Sequence, residues 1–212
     1  MYVGIPTLLV ATMVAGLFAQ PAKHPAEHGE KLDAQASESV QTPEMVIKTW
    51  PAHVRVTALA MISKYGEPGF SSKDALVWYN NSPWQKTVVY RKARPRSGGT
   101  RDQACLEQTV GYEVPDDKVA ALKLFDGRIK IDRTNGELSS RSASESLNFL
   151  ALNLADDIVS YRRSVKGARD FYRHAVRLSQ SGKHSMYLDG LLFEVHNGRR
   201  PDPEDVKFPE RP

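Results

Sequence analysis

The sequence predicts an α+β domain, an antiparallel sheet of about five strands covered by helices. Three observations carry that prediction. Segments of period-two alternation rich in Val, Ile, Tyr and Trp come in runs joined by short polar turns, as antiparallel strands do. Helix-period segments flank those runs instead of alternating with every strand, which disfavours a parallel plan. The chain of 212 residues is 41% hydrophobic, enough for one sizeable core. The expected order is α-β-β-β-α-β-β-α-α.

Thr7 to Phe18 is an apolar run of about a dozen residues, the length of a signal-peptide core and short of a membrane span. Residues 1–19 therefore read as a signal peptide for export to the periplasm or beyond, with an uncleaved N-terminal anchor as the alternative. Met1 to Pro6 lacks Lys and Arg, so the positive end rests on the α-amine. No Cys stands directly after the apolar run, which excludes acylation of a mature N-terminal cysteine. Residues 20–44 carry almost no large apolar side chain and read as a disordered linker. Residues 45–196 read as one α+β domain and residues 197–212 as a Pro-rich charged tail, and no transmembrane span is expected in the mature chain.

Within the domain, Pro51 suits a first helical position, and Val54, Ala58, Met61, Ile62 and Tyr65 follow at helical spacing up to Gly66 and Pro68. Leu76 to Arg91 holds two aromatic and β-branched runs around Asn80-Asn81-Ser82-Pro83, a hairpin. In it Trp78, Val88 and Tyr90 read as core, and Trp84, beside the turn proline, as exposed. A third strand is expected from Cys105 to Val114, with Leu106, Val110, Tyr112 and Val114 on one face. Pro115 opens a short helix closed at Asp126-Gly127. Arg128 to Asp132 alternates, and Asn135-Gly136 suits a two-residue turn that brings Glu137 to Ser140 back. The same residues fail the spacing of an EF-type calcium loop.

Ser142-Ala143-Ser144-Glu145 has capping-box spacing and opens a helix with two apolar stripes, which is thus central and buried. Asn148 and Asn153 interrupt it and require partners if buried. Val165, Ala168, Phe171, Tyr172, Ala175 and Leu178 give the last helix a single apolar face. Met186 to Val195 is expected to pack back on the core.

The net charge of +4 is too small to indicate nucleic acid, but its distribution is informative. Ala75 to Arg101 contains no Asp or Glu and holds Lys86, Arg91, Lys92, Arg94, Arg96 and Arg101, interleaved with Trp84 and Tyr90. Arg162, Lys166, Arg169, Arg173 and Arg177 form a second basic stripe on the last helix. Basic and aromatic residues together suit nucleic acid, yet an exported chain meets lipid headgroups, acidic polymers or proteins instead. The binding candidates are Trp84, Lys86, Arg91, Arg94, Arg96 and Arg101. A solvated charged face is the plainer reading of both stretches.

No nucleophile elbow, phosphate loop or dinucleotide fingerprint occurs, and no cofactor or metal is expected. His24 and His28 sit four apart in the Pro-containing linker and read as solvated; the other histidines are scattered. Cys105, the only cysteine, reads as a small strand residue, because no base lies near it in sequence. Asp156-Asp157 reads as a solvated helix face, since adjacent helical residues diverge by about 100°. Asn80-Asn81-Ser82 matches a glycosylation acceptor and reads as a turn.

Tyr65-Gly66-Glu67-Pro68, Leu76-Val77-Trp78-Tyr79 and Pro83-Trp84 resemble small exported bacterial envelope proteins and are similar to BamE/SmpA-like modules over Pro51 to Val114. There a helix ends at a Gly-x-Pro turn and feeds an antiparallel sheet. The chain departs from that family in lacking the lipidated Cys and in adding Pro115 to Val195. The resemblance implies a non-enzymatic envelope binding or assembly module, meeting an envelope protein or an anionic polymer or headgroup. The alternative is a hydrolase of envelope polymers using Asp156, Asp157, His174 or Cys105.

Overall fold

The computed structural model describes residues 42–94 and 104–196. The signal-peptide and tail readings, and the linker reading up to residue 41, lie outside the described residues, whereas Pro43 and Glu44, read as the end of the linker, are the first residues of a helix. Helices α1 (Pro43–Ile47) and α2 (Ala52–Tyr65) lead to strands β1 (Phe70–Ser71), β2 (Ala75–Asn81), β3 (Trp84–Arg94) and β4 (Ala104–Gly111). Then come α3 (Asp116–Phe125), β5 (Ile129–Asp132), β6 (Glu137–Ser142), α4 (Glu145–Val159), α5 (Val165–Gln180) and a 3-10 turn at Met186–Leu188. The class is α+β as expected. The sheet has six antiparallel strands in the order β1-β2-β3-β4-β6-β5, the addition being the two-residue edge strand β1.

Register defines the helix-covered face. Leu76 lies opposite Val89, Val89 opposite Leu106, and Leu106 opposite Ser142; Val110 faces Leu138. The two ends of this face carry separate apolar clusters. Ile47, Trp50, Val54, Ala58 and Met61 of the first helical segment pack on Leu76, Trp78, Val89 and Leu106. Val110, Leu138 and Ile129 pack under α4 with residues of α3 and α5. Every residue of α4 from Asn148 to Ile158 is buried, as its double stripe requires. The amide nitrogens of its two asparagines find partners, while the buried Asn148 Oδ1 has none among the described residues. Asn148 Nδ2 donates to the Leu106 carbonyl and Gln108 Oε1 (3.2 and 2.9 Å), and Asn153 Nδ2 to the Tyr187 and Gly190 carbonyls (3.1 and 2.8 Å).

Three local expectations are corrected. Asp132 pairs with Glu137, so residues 133–136 form a four-residue loop in place of a two-residue turn. The Asp132 carboxylate stabilises it by accepting from the amides of Thr134 and Asn135 (both 3.1 Å). The helix-capping residue is Ser144, whose Oγ accepts from the Leu147 amide. Glu145 is thereby the first helical residue and its carboxylate turns inward. Asp156 and Asp157 do not form a solvated face: they are 7% and 3% exposed. Arg162 bridges both, Arg163 Nε reaches Asp157 at 2.9 Å, and the hydroxyls of Tyr112 and Tyr187 donate to Asp156 and Asp157 (2.7 and 2.9 Å). Helical divergence does not prevent one guanidinium beyond the helix end from reaching adjacent carboxylates.

The segment after the 3-10 turn returns to the sheet. His196 N donates to the Gly111 carbonyl (3.1 Å), and Gln85 Nε2 to the His196 carbonyl (3.1 Å). A Cβ on Gly111 would lie 1.7 Å from the His196 oxygen, so this approach requires glycine. We expect Gly111→Ala to cost about 1–3 kcal/mol by forcing the segment away. Urea denaturation measures the cost, and faster amide exchange at His196 locates it.

Candidate functional site

Strand β3 runs between two surface regions that the sequence analysis treats as one. Lys86, opposite Tyr79 and Thr109, belongs to its tip end. Arg91 lies at its base, where its amide donates to the Asp74 carbonyl (2.9 Å). At about 3.3 Å per residue the two are about 17 Å apart. The backbone of Arg94 pairs with Ala104, whereas Arg96 and Arg101 lie outside the described residues.

Trp84 is not exposed: its relative exposure is 1%. Simple alternation places it on the side of Lys86, but Asn80 adopts a left-handed backbone (φ +52°) and the tip twists so that the indole enters the core. Asn tolerates that conformation better than most residues. The ring stacks on Phe149 at 4.9 Å. Its Nε1 donates to Glu145 Oε1 at 2.7 Å, and the Tyr65 hydroxyl and Gln108 Nε2 donate to the same oxygen at 2.5 and 3.0 Å. Lys64 Nζ pairs with Oε2.

The Glu145 side chain is 12% exposed. Burial raises the pKa of its carboxyl, but hydrogen bonds from Lys64, Tyr65, Trp84 and Gln108 outweigh burial and hold it below 4.5, the ordinary value. Tyr65 shifts upward through burial and its bond to Glu145, so the phenol keeps its proton. A carboxylate saturated by donors and a phenol that holds its proton make poor general bases. This cluster is architectural.

Tyr79, 60% exposed, takes the place at the tip that Trp84 vacates. With Asn80 and Ser82 it forms a ridge between two open clefts. The first, about 590 Å³, is completed by Gln85, Lys86, Asn135 and Glu137. The second, about 520 Å³, is walled by Lys64, Tyr65, Glu67 and Asn81. Asn81 Nδ2 donates to Thr87 Oγ1 (2.9 Å), while its buried Oδ1 has no donor among the described residues. Asn135 and Glu137 reach the tip because the β5-β6 hairpin ends beside it. Period two places Tyr79 on the face opposite Trp78 and could have identified it; the contribution of β5-β6 has no local signal.

Of the hydrolase candidates, Cys105 is buried, its thiol pushed up by desolvation. His174 is exposed on α5, and the two aspartates are bound to arginines. The basic stripe is largely occupied too: Lys166 and Arg173 pair with Asp170, and Arg169 Nε donates to the Phe125 carbonyl (3.2 Å). Among the described residues no group of His, Cys, Asp and Glu is arranged to hold a metal. None of their helices is long and apolar enough to cross a membrane.

Replacing Trp84 by Phe keeps the stacking ring but removes a donor from Glu145. We expect a loss of about 1–3 kcal/mol, against about 3–5 kcal/mol for Trp84→Ala, read from urea unfolding. Because folded Glu145 titrates below its ordinary value, its stabilisation is complete above pH 4.5 and is lost as the pH falls through the lower folded value. Unfolding midpoints measured from about pH 6 to pH 3 should therefore fall less steeply for Glu145→Gln than for the parent chain. Asp157, also held below its ordinary value against burial by Arg162, Tyr187 and Arg163, leaves residual acid sensitivity in both.

No protein-family model, curated protein or solved structure matches the chain, and the site is read on its own chemistry.

Proposed function

We propose that the chain is an exported, non-enzymatic binding or assembly module of the bacterial cell envelope. It holds a protein or anionic partner along the β2-β3 hairpin. The observation that carries this reading is the ridge of Tyr79, Asn80 and Ser82, an exposed aromatic ring between two clefts with amide, hydroxyl and ammonium groups at its flanks. Exposed aromatics amid polar groups are what partner surfaces use for affinity and orientation. The apolar run Thr7 to Phe18 supports export, and the excess of basic over acidic residues from Ala75 to Arg101 supports an anionic or acidic partner.

The hydrolase reading has less support. Its carboxylates accept from arginines and tyrosines, and its thiol is buried, so none offers a free lone pair in a cleft.

Tyr79→Ala combined with Lys86→Ala should lower capture of a partner from envelope extracts about tenfold or more, with the melting temperature unchanged. Equal capture by parent and variant would sink the tip as the contact surface.

A further inference from the structure

At the base of the hairpin lies a third open cleft, about 770 Å³, between β3 and the start of α2. Trp50 and Pro51 form its apolar wall, Arg91 and Lys92 supply its charge, and the His53 imidazole lies beside them. No carboxylate among the described residues lines it. Among the described residues the side chains of Arg91, Lys92 and His53 have neither an ion pair nor a hydrogen bond to an acceptor, unlike Arg128, Arg162 and Arg163.

The backbone carrying these cations is fixed. Strands β3 and β4 lose register between Val89 and Arg94. There Arg141 Nε donates to the Ala104 carbonyl (3.1 Å), and its second nitrogen to the Lys92 carbonyl (3.0 Å). The same guanidinium lies 3.9 Å from the centre of the Tyr90 ring. Opposite, Trp50 Nε1 donates to the Lys73 carbonyl (3.0 Å), holding the indole wall in place. The first turn of α2 adds to the positive potential, having no acidic residue and no side-chain cap.

We propose that this cleft binds a phosphate ester. The proposal rests on reading the chain as a binding module and places the charged group of an anionic partner at the base of β3, apart from the tip. A guanidinium fork and an ammonium together match a tetrahedral anion with several acceptor oxygens. The volume is larger than phosphate alone fills, and Pro51 and Ala93, backed by the buried Trp50, offer apolar surface to a carbon body. The ester is either a soluble metabolite or the headgroup of a phospholipid.

The test is titration of the full chain with sn-glycerol 3-phosphate, followed by amide NMR. The result expected is saturable shifts confined to residues 49–53 and 91–93, with affinity falling about tenfold or more in Arg91→Ala with Lys92→Ala. Lys130→Ala, an exposed cation on β5, should bind as the parent does. Lys92→Glu, a change at an exposed side chain, provides the same readout if the double variant does not fold. Sedimentation with phosphatidylglycerol vesicles, against phosphatidylcholine alone, separates the two sources: vesicle binding lost in the variant assigns the headgroup, and ester binding without vesicle binding assigns a soluble ester. Absence of shifts, shifts spread over all basic surfaces, or equal affinity in the Arg91 and Lys92 variants would overturn the site. If those fail while Tyr79→Ala with Lys86→Ala still loses capture, only the cleft is refuted; the converse refutes the tip alone.

Discussion

The carboxylate of Glu145 is the constraint on which the arrangement of this domain depends. It lies at the first turn of α4 and gathers Lys64 and Tyr65 from α2, Trp84 from β3 and Gln108 from β4. Tyr65 also packs against both apolar clusters, so the network sits at their seam. Burying a carboxylate costs several kcal/mol unless its lone pairs are occupied, and partial occupation is worse than an apolar contact. Few placements of α2 against α4 satisfy all these donors at once. The network thus selects one packing of two otherwise separable cores, which apolar burial alone does not do.

That requirement determines what the hairpin can show to solvent. Trp84 is drawn inward to supply a donor and a stacking face, and the exposed ring becomes Tyr79. At the opposite end of β3, Arg141 holds the irregular backbone at Lys92 and Ala104. The strand is fixed at both ends, with clefts beside each. Side chains projecting from a restrained strand lose less entropy on meeting a partner than those on a loose loop.

Much of this was legible in the sequence. Helices α2, α4 and α5 and both hairpins follow from hydrophobic period and turn chemistry, because these are local and repeated over many residues. The direction of Trp84 was not legible. Alternation fails where one left-handed residue, Asn80, twists the tip, and the acceptors that reward the twist, on Tyr65 and Glu145, lie 19 and 61 residues away. Glu145 was read as half of a capping box because the pattern fits two registers. Its true role depends on Gln108, Trp84 and Lys64, remote in sequence. The aspartates of α4 were misread for a related reason: their partner, Arg162, is near in sequence but beyond the helix end, where helical geometry no longer predicts contacts.

The buried carboxylates at the two ends of α4 are committed to the fold. A general acid or base must gain or lose a proton in the transition state, which requires a lone pair or proton not already committed. Glu145 is saturated by its donors, and Asp157 accepts from Arg162, Arg163 and Tyr187. Freeing Glu145 would orphan the buried donors of Trp84 and Gln108 at about 1–3 kcal/mol each. Among the described residues, uncommitted groups that reach solvent are instead the exposed Tyr79 ring and the Arg91 and Lys92 side chains at the base of β3. They lie on the hairpin and in clefts, where meeting a partner disrupts nothing in the core. Groups placed in that way can lend interaction energy to another molecule without drawing on the stability of the fold.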